Sequence, residues 1–176
     1  MNSNPLSTVR ASYRATKDCF QIAMAANKHP DKDNLFVKAN NLRPLNQVNV
    51  KQAIEQASRE SDELFVLDIW AAFERFARTY LQEKGKKLQE ICPASLASSV
   101  YVYFEKEVEF WRAEDILDLL KSTLAPRAYL IGQAKQVLQY RNWIAHGKKL
   151  HKIPPKITPV YAFDILNEIV DLMLLN

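Results

Sequence analysis

The chain has 176 residues, of which 48% are apolar and 25% charged, a composition that predicts one globular domain over residues 1–176 and excludes a disordered protein. Its formal net charge of +4 is too small to identify a partner by itself. Two distant cysteines, no signal peptide and no apolar run near the roughly 18 residues of a membrane span predict a cytoplasmic protein without a disulfide framework, a zinc site or membrane contact.

The hydrophobic pattern is helical along most of the chain. Apolar residues recur at three- and four-residue spacing, whereas the best strand-like pattern, residues 100–104, is short and isolated. A first helix is predicted over residues 7–28, and a second begins near Asn49, the expected N-cap. The pattern leaves open whether the second helix continues through residues 58–62. The predicted fold class is all-α.

Residues 63–84 form the clearest predicted helix, and Gly85 is placed to end it. An apolar stripe at helical spacing along this segment is interpreted as core. The stripe consists of Phe65, Ile69, Ala72, Phe73, Phe76 and Tyr80.

An acidic segment follows this helix. A helix is predicted from Pro93 to Phe110, and carboxylates are frequent from Glu105 to Asp118. We interpret residues 93–122, approximately, as an insertion between the main helices whose leucines pack onto the bundle, with a partner surface as the alternative.

Two more helices complete the predicted fold. Pro126 is placed to open the first and Gly147 to end it. Gly132 weakens this helix unless close packing requires the missing side chain. The last helix has Thr158 as its N-cap and Pro159 at its first position.

The residues that bear the chemistry are concentrated in residues 139–149, QYRNWIAHGKK. Asn142 and His146 are four residues apart and share a helix face, whereas Arg141 lies about 140° around an ideal helix from His146. The two can converge on one ligand if the last turn loosens. Trp143 and Ile144, between them, are interpreted as packing residues.

These side chains suit cleavage of a phosphodiester. Histidine can move the proton of an attacking hydroxyl or of a leaving oxygen, arginine can hold the phosphate through two hydrogen bonds, and asparagine can orient either group. If the attacking group is the RNA 2′-hydroxyl, no metal is required and the product is a cyclic phosphate.

A basic loop follows the helix end, and no acidic residue occurs from Arg141 through Phe163. Such a loop favours contact with the RNA backbone, although loop lysines also serve solubility alone. Its candidate RNA-binding residues are Lys148, Lys149, His151, Lys152 and Lys156.

Residues 141–147 resemble the R-N-x-x-x-H-G form of the motif found in ribonuclease-like HEPN domains. The resemblance implies an antiparallel helical bundle over residues 62–175, with residues 1–61 as an additional N-terminal helical extension. It further implies a metal-independent endoribonuclease without a cofactor, with Arg141 and His146 catalytic and Asn142 supporting them. Such proteins are generally homodimers with both motifs facing one cleft, and they often act as toxins or in antiviral defence, so an antitoxin or regulatory protein is a further expected partner.

Several alternatives remain open. Glu74 either turns inward to orient Arg141 or forms an ordinary i,i+4 pair with Arg78. Arg141 can instead form a salt bridge with Asp68 or Glu74, and His146 can simply cap the helix. A non-catalytic RNA-binding or protein-interaction module is therefore the alternative function.

Overall fold

The computed structural model describes residues 3–90, 93–125, 127–149, 151 and 153–175, with Ala94 described by its backbone alone. Within these residues the chain is all-helical and has no strand, which confirms the predicted fold class. Residues 100–104, the strand-like pattern, lie inside a helix. The α-helices of the described chain are α1 Leu6–Asn27, α2 Lys32–Leu35, α3 Gln47–Gly85, α4 Ala94–Glu107, α5 Ala113–Thr123, α6 Tyr129–Ala145 and α7 Pro159–Leu175. Short 3₁₀ segments at Lys86–Glu90 and Val108–Phe110 follow α3 and α4.

The 39-residue helix α3 is the central element and contacts α1, α4, α5, α6 and α7. It runs through residues 58–62 without a break, which settles the question that the sequence left open. Its N-cap is Asn46, whose side-chain oxygen accepts a hydrogen bond from the Asn49 backbone amide at 2.9 Å. The prediction of Asn49 as N-cap was therefore wrong by one turn, because both asparagines are suitable caps.

The main core lies between α3, α5, α6 and α7, with Leu6 of α1 also fully buried in it. The predicted stripe of α3 faces this core, and Trp70 joins it. From the acidic segment, α5 buries Ile116, Leu117 and Leu120 in the same core as expected, whereas Leu119 of the same helix is 47% exposed. A smaller cluster under α1 is formed by Phe36, Val50 and Ile54. Among the described residues, no helix is both long and apolar enough to cross a membrane.

α3 ends at Gly85, as its position predicted, but it does so without a left-handed turn. The backbone continues from Gly85 into the 3₁₀ segment with Lys86 in the right-handed helical region. A Cβ atom on Gly85 would lie 2.2 Å from the Phe104 ring, so this glycine permits close packing of α4. Gly132 is not required by close packing, since a Cβ atom there would meet nothing within 4 Å.

The final two helices begin and end near the predicted positions. Thr158 accepts a hydrogen bond from the Tyr161 amide at 3.2 Å, and Pro159 is the first residue of α7, so both assignments are confirmed. Pro126, predicted to open α6, and Cys92 lie outside the described residues.

Candidate functional site

The carboxyl end of α6 has a defined geometry. The Gly147 amide donates to the Ile144 carbonyl at 3.1 Å, and the Lys148 amide donates to the Trp143 carbonyl at 2.9 Å. These two bonds make a Schellman motif, with Gly147 in the left-handed region at φ 78°. Gly147 is therefore the predicted stop. The His146 amide still donates to the Asn142 carbonyl at 3.0 Å, so the last turn of the helix does not loosen.

Arg141 is half-buried and incompletely satisfied. Its Nη1 donates to Oδ1 of Asn142 at 2.9 Å. Its Nε is buried without a hydrogen-bond partner, and no carboxylate among the described residues forms an ion pair with the guanidinium. The alternative in which Arg141 forms a salt bridge with Asp68 or Glu74 is therefore wrong for this structure. An arginine with an unused donor and without a carboxylate partner in the described part of the chain is suited to an anionic ligand.

Glu74 has the i,i+4 partner that the sequence offered as one alternative. Its Oε1 accepts from Arg78 at 2.6 Å, and its Oε2 accepts from the Trp70 indole at 2.9 Å. Arg78 also donates to the carbonyls of Val108 and Trp111. Both oxygens of Glu74 are thus engaged, and no hydrogen bond joins it to Arg141.

Glu74 nevertheless lies near the arginine of the motif. A cavity of about 420 Å³ lies between α3 and the end of α6. Arg112 lies at its rim and forms an ion pair with Asp115, and this pair holds the pKa of the Asp115 carboxyl below its usual value. The lining residues are Glu74, Arg78, Trp111, Arg112, Ala113, Glu114, Leu138, Arg141 and Asn142.

His146 is exposed and borders a different cavity, of about 510 Å³. The residues that line it are Gln139, Asn142, Trp143, His146, Lys149, Ile153 and Pro154. Asn142 borders both cavities, and Arg141 also reaches a groove between α1 and α3 that Ala145 borders. The fold therefore places the three motif residues together at one helix end, but it directs Arg141 and His146 to different cavities.

The basic loop is attached to the bundle at two points. The Trp143 indole donates to the Lys149 carbonyl at 3.1 Å, and Lys148 forms an ion pair with Glu63 at 2.6 Å. Lys149, His151 and Lys156 are exposed, and Lys152 lies outside the described residues. The charge of Lys148 is thus partly compensated by a carboxylate of α3.

Tyr140 lies directly behind this attachment and stacks on Trp143 with ring centroids 5.7 Å apart. Burial raises the pKa of Tyr140, the Glu63 carboxylate adds to the increase, and Lys148 opposes it. The tyrosine therefore stays neutral and supports the indole as a packing residue.

Three contributors to the site were not identified from the sequence. Gln139 is three residues before Asn142 and seven before His146, a spacing that places all three on one helix face and was a usable signal. Trp143 was assigned to packing alone; it packs on the core and also lines the cavity of His146. Glu63 had no sequence signal, because its contact with Lys148 depends on tertiary structure.

Among the described residues, no group of three or more histidine, cysteine, aspartate or glutamate side chains is arranged to hold a metal ion. Comparisons of the chain with protein-family models, with curated proteins and with solved structures find no match.

Proposed function

We propose that the protein is a metal-independent endoribonuclease that cleaves RNA by attack of a 2′-hydroxyl and leaves a cyclic phosphate. The observation that carries the proposal is the state of Arg141 at the same helix end as the exposed His146. Arg141 is half-buried, and none of the carboxylates that the structure describes pairs with it. The resemblance of residues 141–147 to ribonuclease-like HEPN domains supports it.

Each residue has a distinct role in this mechanism. Arg141 holds the phosphate and compensates the charge that develops on its oxygens. His146 transfers the proton of the attacking hydroxyl or of the leaving oxygen. Asn142, already bonded to Arg141 and bordering both cavities, orients the two groups. Lys149, His151 and Lys156 attract the RNA backbone in a salt-dependent manner.

The active form we propose is a homodimer in which the motifs of two chains face one cleft. Within one chain, Arg141 and His146 border different cavities, so a second chain offers a way to bring an arginine to a histidine. Glu74 remains a candidate for orienting Arg141 in that assembly, since it borders the same cavity. We further propose a toxin or antiviral defence role under the control of an antitoxin or regulatory protein.

Cleavage of single-stranded RNA in EDTA tests the catalytic proposal. We expect cleavage by the wild-type protein and loss of it in His146→Ala and Arg141→Ala. The matched controls His29→Ala and Arg14→Ala alter exposed residues of α1 and the turn after it, and we expect them to retain activity. Equal activity in all five proteins would indicate a contaminating nuclease and contradict the proposal.

Mixing the two inactive variants tests the shared site. If each site combines the arginine of one chain with the histidine of the other, random exchange restores about a quarter of the wild-type activity, since half the dimers are mixed and each has one intact site. If both residues act within one chain, every site in the mixture lacks one of them and no activity returns.

The separation of Arg141 from His146 in a single chain also favours a second candidate, a non-catalytic RNA-binding or protein-interaction module. This function predicts RNA binding that weakens with salt, or a protein bound stably to the chain, without cleavage. Cleavage that disappears in His146→Ala would exclude it.

A further inference from the structure

The cavity beside His146 has walls that suit a flat ligand. Its volume of about 510 Å³ falls inside the range of roughly 300–1,000 Å³ that is common for small-ligand sites. Ile153 and Pro154 line it from the loop, and Trp143 lines it from α6. Aromatic side chains at such positions provide a stacking surface for planar groups.

The indole of Trp143 is held in a fixed orientation. It stacks on the buried Tyr140 with an interplanar angle of 30°. Its Nε1 donates to the Lys149 carbonyl at 3.1 Å, which ties the ring to the loop that forms the other wall. A ring fixed by two contacts loses little conformational entropy when a ligand stacks on it.

The polar groups of the cavity are free to bind the edge of such a ligand. Neither the Gln139 amide nor the amide nitrogen of Asn142 has a hydrogen-bond partner among the described residues. Each primary amide has hydrogen-bond donors and an acceptor, and paired donor and acceptor groups match the edges of nucleobases.

The charge of the cavity favours an anionic ligand over a cationic or neutral one. None of the described residues that line it is acidic, while His146 and Lys149 lie at its border. The exposed Lys156 in the same loop adds positive charge. A nucleobase inside the cavity would therefore leave its phosphates near cationic groups.

We propose that this cavity binds an unpaired nucleobase of an RNA strand, stacked on Trp143 with its edge bonded to Gln139 and Asn142. The inference rests on the proposed function, because it takes RNA as the substrate, and it defines the substrate class as single-stranded RNA. A bound base places the adjoining sugar and phosphate beside His146. Base-paired RNA is excluded, because a base within a helix cannot enter the cavity.

Fluorescence anisotropy with a fluorescein-labelled, single-stranded 2′-O-methyl RNA tests the inference. This RNA has no free 2′-hydroxyl, so binding is measured without cleavage. The comparison ligands are the same strand annealed to its complement and an abasic strand of equal length. We expect the wild-type protein to bind the single strand about five- to 150-fold more tightly than the abasic strand, the range that one stacked base provides.

Two variants remove different walls of the cavity. Trp143→Leu keeps an apolar side chain but removes the stacking plane, and we expect it to lose the preference for the single strand over the abasic strand. Ile153→Ser alters an exposed loop residue, so it tests the cavity even if Trp143→Leu fails to fold. Val160→Ser is the matched control, since Val160 is 61% exposed, Ile153 is 63% exposed, and Val160 does not line the cavity.

Equal wild-type binding of the single strand, the duplex and the abasic strand would overturn the inference, and so would an unchanged preference in both cavity variants. Its failure is distinguishable from failure of the catalytic proposal. Cleavage with base-independent binding would leave the ribonuclease intact and exclude the base site. Base-dependent binding without cleavage would support the base site and contradict the ribonuclease.

Discussion

Arg78 and Arg141 both border the cavity between α3 and α6, and their surroundings differ. Arg78 has only 11% of its side chain exposed, and its donors bind Glu74 and the carbonyls of Val108 and Trp111. Arg141, on the facing helix, donates to Asn142, and its buried Nε finds no partner in the described part of the chain. Arg78 joins α3 to the segment before α5, whereas the hydrogen bond that Arg141 donates within the described residues goes to its own helix.

The contrast distinguishes a structural arginine from a candidate functional arginine in the same cavity. A buried guanidinium with a carboxylate and two carbonyls is stabilised within the folded chain itself. A guanidinium with an orphaned donor costs free energy in the isolated chain and is suited to an anion from outside. We therefore expect substitution of Arg141 to lower activity with little loss of stability, and substitution of Arg78 to lower stability.

The largest expected effect is on cleavage. Arg141→Ala should lower the cleavage rate by about 100-fold or more, the effect of losing one donor that stabilises developing charge. Its free energy of unfolding should change by less than about 0.5 kcal/mol, because the side chain forms no ion pair with any residue that the structure describes. RNA cleavage and urea unfolding of the same preparation measure both quantities. A large loss of stability in Arg141→Ala would remove the distinction between the two arginines.

The converse variant is Arg78→Ala. It leaves the Glu74 carboxylate without its cation and removes the Arg78 donor from the Trp111 carbonyl, while the Val108 carbonyl keeps the Trp111 amide as a donor. We therefore expect a loss of about 3 kcal/mol in the free energy of unfolding. Arg75→Ala is the matched control on the same helix. Arg75 pairs with Glu109 but has 68% of its side chain exposed, so we expect a loss below about 1 kcal/mol. Similar losses for both variants would show that Arg78 is not a structural residue.

Gly85→Ala tests the packing behind Arg78. The new methyl group would displace the Phe104 ring, which contacts Trp111 edge-on, and the Trp111 carbonyl accepts a hydrogen bond from Arg78. We expect a loss of about 1–3 kcal/mol in unfolding free energy, as for other overpacked sites. Gly132→Ala should stabilise or leave stability unchanged, because its added methyl group meets no atom within 4 Å. An equal loss in both variants would contradict the assigned role of Gly85.

Gly147→Ala tests the helix end that bears Arg141. The left-handed backbone at φ 78° costs an alanine about 1 kcal/mol, so a loss of that size is expected in thermal unfolding. Because the Schellman motif also positions His146, cleavage should fall more than in the Gly132→Ala control. Cleavage that is unchanged while stability falls would show that the helix end does not position the histidine.

The smallest expected effect is at the ion pair between Lys148 and Glu63. Glu63→Gln should change stability by less than about 1 kcal/mol, since 44% of the Lys148 side chain is exposed. It should strengthen RNA binding at low salt, because Lys148 is released and one negative charge is removed. Binding measured over a range of salt concentrations tests this expectation, and weaker binding in Glu63→Gln would contradict it.

The sequence predicted the fold class because apolar spacing depends directly on helical geometry. It also predicted the stop at Gly147 and the cap at Thr158, where one residue type suits one backbone position. It placed the N-cap of α3 at Asn49 instead of Asn46, and it could not show that Gly85, besides ending α3, admits the ring of Phe104. Those outcomes depend on contacts between distant residues.

The candidate site was likewise predictable only where it depends on spacing along one helix. The placement of Arg141, Asn142 and His146 at one helix end follows from their spacing. The division of the two catalytic candidates between cavities does not, because it depends on α3 and on the loop around Pro154. The partner of Glu74 was one of two alternatives that spacing alone could not resolve.

The chemistry of the RNA product tests the central claim most directly. A strand with one ribonucleotide among 2′-O-methyl nucleotides offers a single reactive hydroxyl, and its cleavage in EDTA can be followed by mass spectrometry. Our account predicts cleavage after that ribonucleotide with a cyclic phosphate end, in the wild-type protein and not in His146→Ala. A product with a different end, or the same product in His146→Ala, would contradict it.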